Sequence, residues 1–236
     1  MLCGESRKEA TQRTLLDPRV TSKIGTWNIR TMNSLGKDNT IAKEMRGYGI
    51  TILGLAETRR LQAGQTRIPS GELLLHSGHT HDNAHHTEGV GLMLAVDAQK
   101  ALLGWEPISS RIIKAQFNTK HKRIRLNIIQ CYAPTNDTDE NIKIEFYQRL
   151  EETIRKCSSK DVNIVMVDLN AKVGAENKDY QQIMGKHGLG KMNENGELLA
   201  NLCADHNLVI GGTVFPHKAC HKATWTSPDM RTENQI

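Results

Sequence analysis

Apolar segments that each end at a polar residue recur four times in the 236-residue chain. Each segment has the length expected of a buried strand, and together they limit the chain to a fold built around sheets. The predicted strands are residues 23–30, 50–56, 123–132 and 162–167. The polar side chains at or just after their ends are Asn28, Glu57, Tyr132, Asp168 and Asn170. Because open sheets commonly assemble sites at strand ends, we expect these side chains to converge.

The remaining segments alternate between helical and extended patterns. Apolar residues at helical spacing predict helices at residues 39–48, 141–157 and 197–205. Further strands are predicted at residues 72–76, 89–96, 111–117, 208–210, 222–225 and 231–236. Mixed strands and helices with hairpins favour an α/β fold, a two-layer β-sandwich flanked by helices. We interpret residues 1–22 as a flexible N-terminal arm and residues 23–236 as one domain.

Composition limits the function classes without choosing one. Hydrophobic residues make up 38% and charged residues 24% of the chain, which is typical of a globular protein. The net charge of +5 is compatible with a polyanionic partner but does not establish one. Apolar runs are too short to cross a bilayer, so we expect no membrane association. Five scattered cysteines predict a reducing compartment, hence a nuclear or cytoplasmic protein that is not secreted.

The polar residues at the strand ends suit a hard, oxygen-binding cation. Glu57 and Asp168 supply carboxylates, and Asn28 and Asn170 supply amides. Mg²⁺ takes few protein carboxylates and keeps several waters, so it fits such a set, with Mn²⁺ as a substitute. Each residue alone also has a structural interpretation: Asn28 as a turn cap, Glu57 near a helix start, Tyr132 as a packing residue. The combination is more specific than any member.

Five ordered motifs resemble the endonuclease/exonuclease/phosphatase superfamily. They are TWNIR at residues 26–30, AET at 56–58, CYAPT at 131–135, VDLNAKVG at 167–174 and HKATWTSPD at 221–229. The last two are most similar to the endonuclease domains of non-LTR (LINE-type) retrotransposons and to craniofacial development protein 2-like proteins. The resemblance runs from residue 23 to the last residue, 236.

This resemblance implies a role for each matching residue. Glu57 would hold Mg²⁺ with Asn28 beside it, and Asp168 would position or deprotonate the attacking water. The remaining implied contacts are with the DNA substrate, made by Asn170, Tyr132, Thr135 and Trp225. Asn170 has an alternative role in orienting Asp168, and Trp225 has an alternative role in packing. The implied reaction is hydrolysis of a phosphodiester bond that leaves a nick in DNA, without a small organic cofactor.

The chain departs from the family pattern at two places. Val167 and Leu169 replace the Gly and Phe of the usual Gly-Asp-Phe-Asn motif. The family pattern also continues, after the position of Ile236, with an Asp and a later Ser-Asp-His, so we expect a truncated domain that lacks its last strands. Losing one transition-state donor typically lowers the rate about 10²- to 10³-fold. Two alternatives therefore stay open: an inactive remnant that acts as a binding scaffold, and a phosphatase of the same superfamily.

Overall fold

The computed structural model describes residues 14–16, 21–79, 88–135, 137–168, 170–218, 221–222, 225–226 and 233–234. The strands are β1 (Ile24–Asn28), β2 (Ile52–Ala56), β3 (Gly64–Arg67), β4 (Leu73–Ser77), β5 (Val90–Leu94), β6 (Leu102–Ser109), β7 (Ile112–Asn118), β8 (Arg125–Tyr132), β9 (Val162–Asp168), β10 (Trp225–Thr226) and β11 (Glu233–Asn234). The helices are α1 (Lys37–Gly47), α2 (Val96–Ala101), α3 (Glu140–Arg155) and α4 (Glu194–Asp205). A short 3₁₀ helix follows at Gly211–Thr213.

Two large sheets form the layers of the fold. The first has the strand order β1-β2-β5-β4-β3, and the second has the order β6-β7-β8-β9. Each contains one parallel pair, β1 with β2 and β8 with β9, and its other neighbours are antiparallel. Strands β10 and β11 form a separate antiparallel pair. The predicted α/β sandwich flanked by helices is confirmed.

The main core lies between the two sheets. Fully buried side chains from both sheets meet there: Leu92 and Leu94 from the first, and Ile113, Phe117 and Ile128 from the second. Two helices cover the outer faces because each carries apolar residues on one side. Helix α1 packs on the first sheet, and helix α3 packs on the second. Burial of these faces is the main stabilising contribution.

One glycine sets how closely the two sheets approach. A Cβ atom added at Gly54 in β2 would lie 1.9 Å from Gln130 Oε1 in β8. Gly54 and Gln130 are both buried. The Gln130 Oε1 atom also lies 3.5 Å from Thr26 Oγ1 in β1. A Cβ atom at residue 54 would therefore displace side chains of the facing sheet, Gln130 first.

Local signals explain where the long helices begin. The Asp139 side chain accepts a hydrogen bond from Asn141 N and caps α3. The Asn193 side chain accepts one from Gly196 N and caps α4. Side-chain caps of this kind satisfy backbone N–H groups that have no partner inside the helix. Helix α4 therefore starts at Glu194, one turn before the predicted start at residue 197.

Most predicted elements are present, and the differences have physical reasons. The predicted strand over residues 89–96 ends at Leu94 because Val96 begins helix α2. Edge strands β3 and β6 and the short helix α2 were not predicted. Many of the β3 and β6 residues are partly exposed, so their apolar pattern is weak. Tyr48, the last residue of the helix predicted over 39–48, is 68% exposed because it follows the last helical turn.

Three predictions near the chain ends have different outcomes. The predicted strand at residues 208–210 is wrong, because this segment has no strand and leads into the 3₁₀ helix. The predicted strands at 222–225 and 231–236 overlap β10 and β11. Most of the predicted arm lies outside the described residues, but Leu15 is buried and its N–H donates to Asn118 O at 2.9 Å. Among the described residues, no helix is long and apolar enough to cross a membrane.

Candidate active site

Both parallel strand pairs end at the same edge of the sandwich. Asn28 is the last residue of β1 and pairs in register with Ala56, the residue before Glu57. Tyr132 and Asp168 are register partners at the ends of β8 and β9. Because parallel strands run in one direction, each pair delivers two polar side chains to the same edge. The two sheets face each other, so this edge carries groups from both.

Asn28 connects carboxylates that come from different sheets. Its Nδ2 atom donates to Glu57 Oε1 at 2.6 Å and to Asp168 Oδ2 at 2.7 Å. Its Oδ1 atom accepts from the backbone N–H of Arg30 at 3.0 Å. Ionised carboxylates only accept hydrogen bonds, so the amide nitrogen is the atom that must face them. Asn28 therefore holds the two carboxylates together through its donor side.

Glu57 leaves strand β2 with an unusual backbone conformation. Its φ of 55° lies in the left-handed region, which is uncommon for a residue with a side chain. The next residue is anchored, because Thr58 N donates to Gly89 O at 2.9 Å. The second carboxylate oxygen of Glu57 lies 3.6 Å from Arg59 Nη2. The sharp turn thus directs the Glu57 carboxylate toward Asn28 rather than along the strand.

Asp168 is the most enclosed ionisable group at this edge. Its side chain is buried, and its Oδ1 atom has no hydrogen-bond partner among the described residues. Burial raises the pKa of Asp168 above its ordinary value, and the nearby charge of Glu57 adds to this increase. Hydrogen bonds from Asn28 and from the backbone of Asn170 act in the other direction and lower the pKa, but by less than burial raises it. The result is a carboxyl group with one unused oxygen and a raised pKa.

The donor set fits a magnesium ion. Glu57 and Asp168 are two neighbouring carboxylates that share one amide donor, and the buried Asp168 Oδ1 has no hydrogen-bond partner among the described residues. Like charges held this close favour a cation. Within the described residues, no group of three or more His, Cys, Asp and Glu side chains could hold a metal. Mg²⁺ often uses only one or two carboxylates with several waters, so the smaller set suffices.

Tyr132 presents a neutral hydroxyl group beside these carboxylates. Burial first, and then the charges of Glu57 and Asp168, raise the pKa of Tyr132 to about 12. The guanidinium of Arg111 lies 5.2 Å from the centre of the Tyr132 ring, and its Nη1 donates to Tyr132 O at 3.2 Å. The hydroxyl therefore stays protonated at neutral pH and can donate a hydrogen bond to an anion.

Asn170 connects the loops that follow β8 and β9. Its φ of 48° is also left-handed. Its Nδ2 atom donates to Ala133 O at 3.1 Å, and Ala133 N donates to Asp168 O at 2.9 Å. The Asn170 side chain therefore joins the loop after Asp168 to the loop after Tyr132.

Thr135 and Trp225, the other two expected site residues, have no described contact with the carboxylates. Thr135 is exposed, and its Oγ1 lies 3.0 Å from Thr138 Oγ1 in the turn before α3. Trp225 lies in β10 opposite Asn234, and its side chain is outside the described part of the chain. The Val167 side chain and residue Leu169, the two departures from the family motif, also lie outside it.

Comparisons with known proteins identify the fold of the chain. No family model matches the chain. Craniofacial development protein 2 from Tragulus javanicus and from Bos taurus is 33% identical over 213 residues, 90% of this chain. The chain spans only 36% and 34% of the lengths of these relatives.

Two solved structures are similar despite low sequence identity. The AP endonuclease LMAP from Leishmania major has a TM-score of 0.57 and 15% identity, covering 81% of this chain and 68% of its own. The endonuclease domain of TRAS1, a telomere-specific non-LTR retrotransposon, has a TM-score of 0.50 and 12% identity, covering 78% and 70%. The chain has the endonuclease/exonuclease/phosphatase fold. In this fold, the edge that carries Asn28, Glu57, Tyr132 and Asp168 joins both sheets of the sandwich.

Three further residues support this edge but were missed by sequence reasoning. Arg111, which contacts Tyr132, is itself held by Glu88, with 2.8 Å between Nη2 and Oε1. Asn193 contacts the loop after Asp168. Arg111 begins the strand predicted at residues 111–117 and Glu88 precedes the one predicted at 89–96, so a position beside the end of a strand is the signal that could identify them. Asn193 precedes a predicted helix, and only its capping preference was visible in the sequence.

Proposed function

We propose that this chain is a Mg²⁺-dependent phosphodiester hydrolase that nicks DNA, with Mn²⁺ as a substitute metal. The observation that carries the proposal is the position of Asn28 Nδ2, within 2.7 Å of carboxylates from both sheets. This arrangement presents an acid–base group and a cation-binding group at one partly buried edge.

Glu57 would hold the metal ion, and Asn28 would fix the Glu57 carboxylate from beside it. The ion would supply positive charge to the phosphate and make a water easier to deprotonate. Glu57 suits this role because its side chain is 18% exposed, whereas Asp168 is more deeply buried. Asn28 uses its amide nitrogen toward the carboxylates, so its contribution here is positioning.

Asp168 would accept the proton of the attacking water. Its Oδ1 atom has no hydrogen-bond partner among the described residues, and its raised pKa makes it a better base than an exposed carboxylate. As the water oxygen bonds to phosphorus, its proton passes to Asp168 Oδ1. The phosphorus–oxygen ester bond then breaks, and the released sugar oxygen takes a proton from solvent water to become a hydroxyl group, which leaves a nick in one strand.

Tyr132 would stabilise the phosphate during this reaction. Its protonated hydroxyl can donate to a phosphate oxygen, and Arg111 behind the ring fixes its position. Asn170 would keep the loops after β8 and β9 at their correct separation. Thr135 and Trp225 are proposed to contact DNA beside the scissile bond.

Several observations support DNA as the substrate. The net charge is +5, and the two similar structures described above are named as an AP endonuclease and a retrotransposon endonuclease domain. A DNA substrate is consistent with a nuclear or cytoplasmic protein. Small phosphoesters, such as inositol phosphates, are the alternative substrate class.

The decisive experiment is nicking of supercoiled plasmid by the purified chain in Mg²⁺. We expect Asp168→Ala to lower the rate about 10²- to 10⁴-fold, because a general base is lost, and EDTA to stop the reaction. Asp205→Ala is the matched control, since Asp205 is exposed at the end of α4.

Other outcomes would change the assignment. Equal nicking by the Asp168→Ala variant would show that another group or a contaminating enzyme cleaves the plasmid. A folded chain that leaves plasmid intact and binds DNA would be a scaffold rather than a nuclease. Hydrolysis of a soluble phosphoester in place of DNA would make it a phosphatase.

A further inference from the structure

The first turn of α4 contacts the loop that follows Asp168. Asn193 Oδ1 accepts hydrogen bonds from Lys172 N at 2.9 Å and from Gly196 N at 2.8 Å. Asn193 Nδ2 donates to Asn170 O at 3.3 Å, and Asn193 N donates to Lys172 O at 2.9 Å. One side chain therefore caps the helix and also binds the backbone on both sides of residue 171.

The same turn contacts the loop that follows Tyr132. Asn195 is fully buried, and its Nδ2 donates to Pro134 O at 3.0 Å. Its backbone carbonyl accepts a hydrogen bond from Tyr147 Oη at 3.1 Å, which fixes α4 against α3. Two asparagines separated by one residue thus reach two different loops of the candidate active site.

A glycine allows the helix to approach this closely. A Cβ atom added at Gly196 would lie 1.9 Å from Lys172 O and 2.7 Å from Lys172 C. These atoms belong to the backbone, so they could not move aside without displacing the loop. The segment Asn193–Glu194–Asn195–Gly196 is therefore shaped to fit against the backbone after Asp168.

Hydrogen bonds hold the backbone of Asn170 on both sides of its side chain. Its conformation is left-handed, with φ at 48°, which asparagine tolerates better than most residues with a side chain. Asn193 engages its carbonyl, while the Asn170 side chain donates to Ala133 O at 3.1 Å. These hydrogen bonds connect the loop after Tyr132, the loop after Asp168 and the first turn of α4 to one another.

We propose that Asn193 and Asn195 are positioning residues that hold both active-site loops. Asn193 fixes Asn170, and through it the backbone beside Asp168. Asn195 fixes Pro134, two residues after Tyr132. The consequence for catalysis depends on the proposed function, but the support of the loops does not. A displacement of about 1 Å in an active site can lower a rate about 10²-fold, so these contacts matter for turnover.

Asn193→Asp separates helix capping from loop support. Aspartate keeps an oxygen that can accept from Gly196 N and Lys172 N, and it caps helices as well as asparagine does. It cannot donate to Asn170 O. We expect kcat for plasmid nicking to fall about 10- to 100-fold with little change in KM, and the melting temperature to stay close to that of the unmodified chain.

Hydrogen exchange provides a measurement that does not depend on activity. In the Asn193→Asp variant, amides of residues 168–172 should exchange faster, while amides within α4 should keep their protection. Asn195→Ala should increase exchange after Tyr132. Asp139→Ala is the control, because it removes the cap of α3, lowers the melting temperature and should change nicking by less than about twofold.

Each result has a separate meaning. If Asn193→Asp matches the unmodified chain in both exchange and nicking, Asn193 is only a helix cap and the proposal is wrong. If the unmodified chain does not nick DNA, the proposed function fails. Faster exchange of residues 168–172 would still support the loop-positioning role in that case, and unchanged exchange would overturn it.

Discussion

Two carboxylates and one amide define the candidate site at the scale of single residues. Glu57 and Asp168 carry the same charge, yet both approach one nitrogen atom of Asn28 within 2.7 Å. The amide compensates for part of this repulsion, and burial still raises the pKa of Asp168. Without a bound cation, the site is therefore a source of instability. Binding and catalytic sites commonly carry such local costs.

Replacing Asp168 by asparagine should stabilise the metal-free chain. The pKa of Asp168 is raised on folding. Between the unfolded and the folded pKa, the folded chain therefore binds more protons than the unfolded chain. Its free energy of unfolding consequently falls as the pH rises from the ordinary value of 3.8 through the folded pKa. We expect Asp168→Asn to have the higher melting temperature at pH 7 in EDTA.

The pH dependence of this difference is the control. The advantage of Asp168→Asn should disappear below about pH 3.8, where the carboxyl group is protonated in both states. Thermal denaturation over a pH series measures it. A lower melting temperature for the variant at pH 7 in EDTA would mean that the carboxylate stabilises the fold.

Strand ends determine the site at the scale of secondary-structure elements. Strands β1, β2, β8 and β9 were predicted from the sequence because their apolar runs end at polar residues. Their pairing brings Asn28 and Asp168 from opposite sheets into contact. The roles of Asn193 and Arg111 could not be predicted, because each depends on hydrogen bonds or packing between segments distant in sequence. Edge strands such as β3 were missed because partial exposure weakens their pattern.

Gly54 provides a test of the contact between sheets. Gly54→Ala would place Cβ 1.9 Å from Gln130 Oε1, so the sheets or the Gln130 side chain must shift. We expect a loss of about 1–3 kcal/mol in the free energy of unfolding, typical of overpacking. Urea denaturation should show that the loss is smaller in a Gln130→Ala background. Equal losses in both backgrounds would mean that another contact limits the space at residue 54.

The whole molecule forms the site only when its two sheets are assembled. One sheet carries Asn28 and Glu57 at its edge, and the other carries Tyr132 and Asp168. A ligand that binds between them favours the folded state over the unfolded one. Binding of the proposed Mg²⁺ would therefore be linked to global stability.

Magnesium should raise the melting temperature of the chain. At a free concentration about 100 times the dissociation constant, the gain in free energy of unfolding is about 2.7 kcal/mol. Glu57→Gln should remove most of this gain because the proposed metal-binding carboxylate is lost. Glu152→Gln, which changes an exposed carboxylate of α3, should keep it. An equal magnesium effect in all three proteins would place the bound ion elsewhere.

The division of the site between sheets also follows the chain order. Every strand of the first sheet precedes Ala101, and every strand of the second lies between Leu102 and Asp168. Half of the polar groups therefore precede Ala101 and half follow Leu102 along the chain. Under the proposed function, a fragment that ended near residue 101 would lack Tyr132 and Asp168 and could not nick DNA until the remaining segment was added.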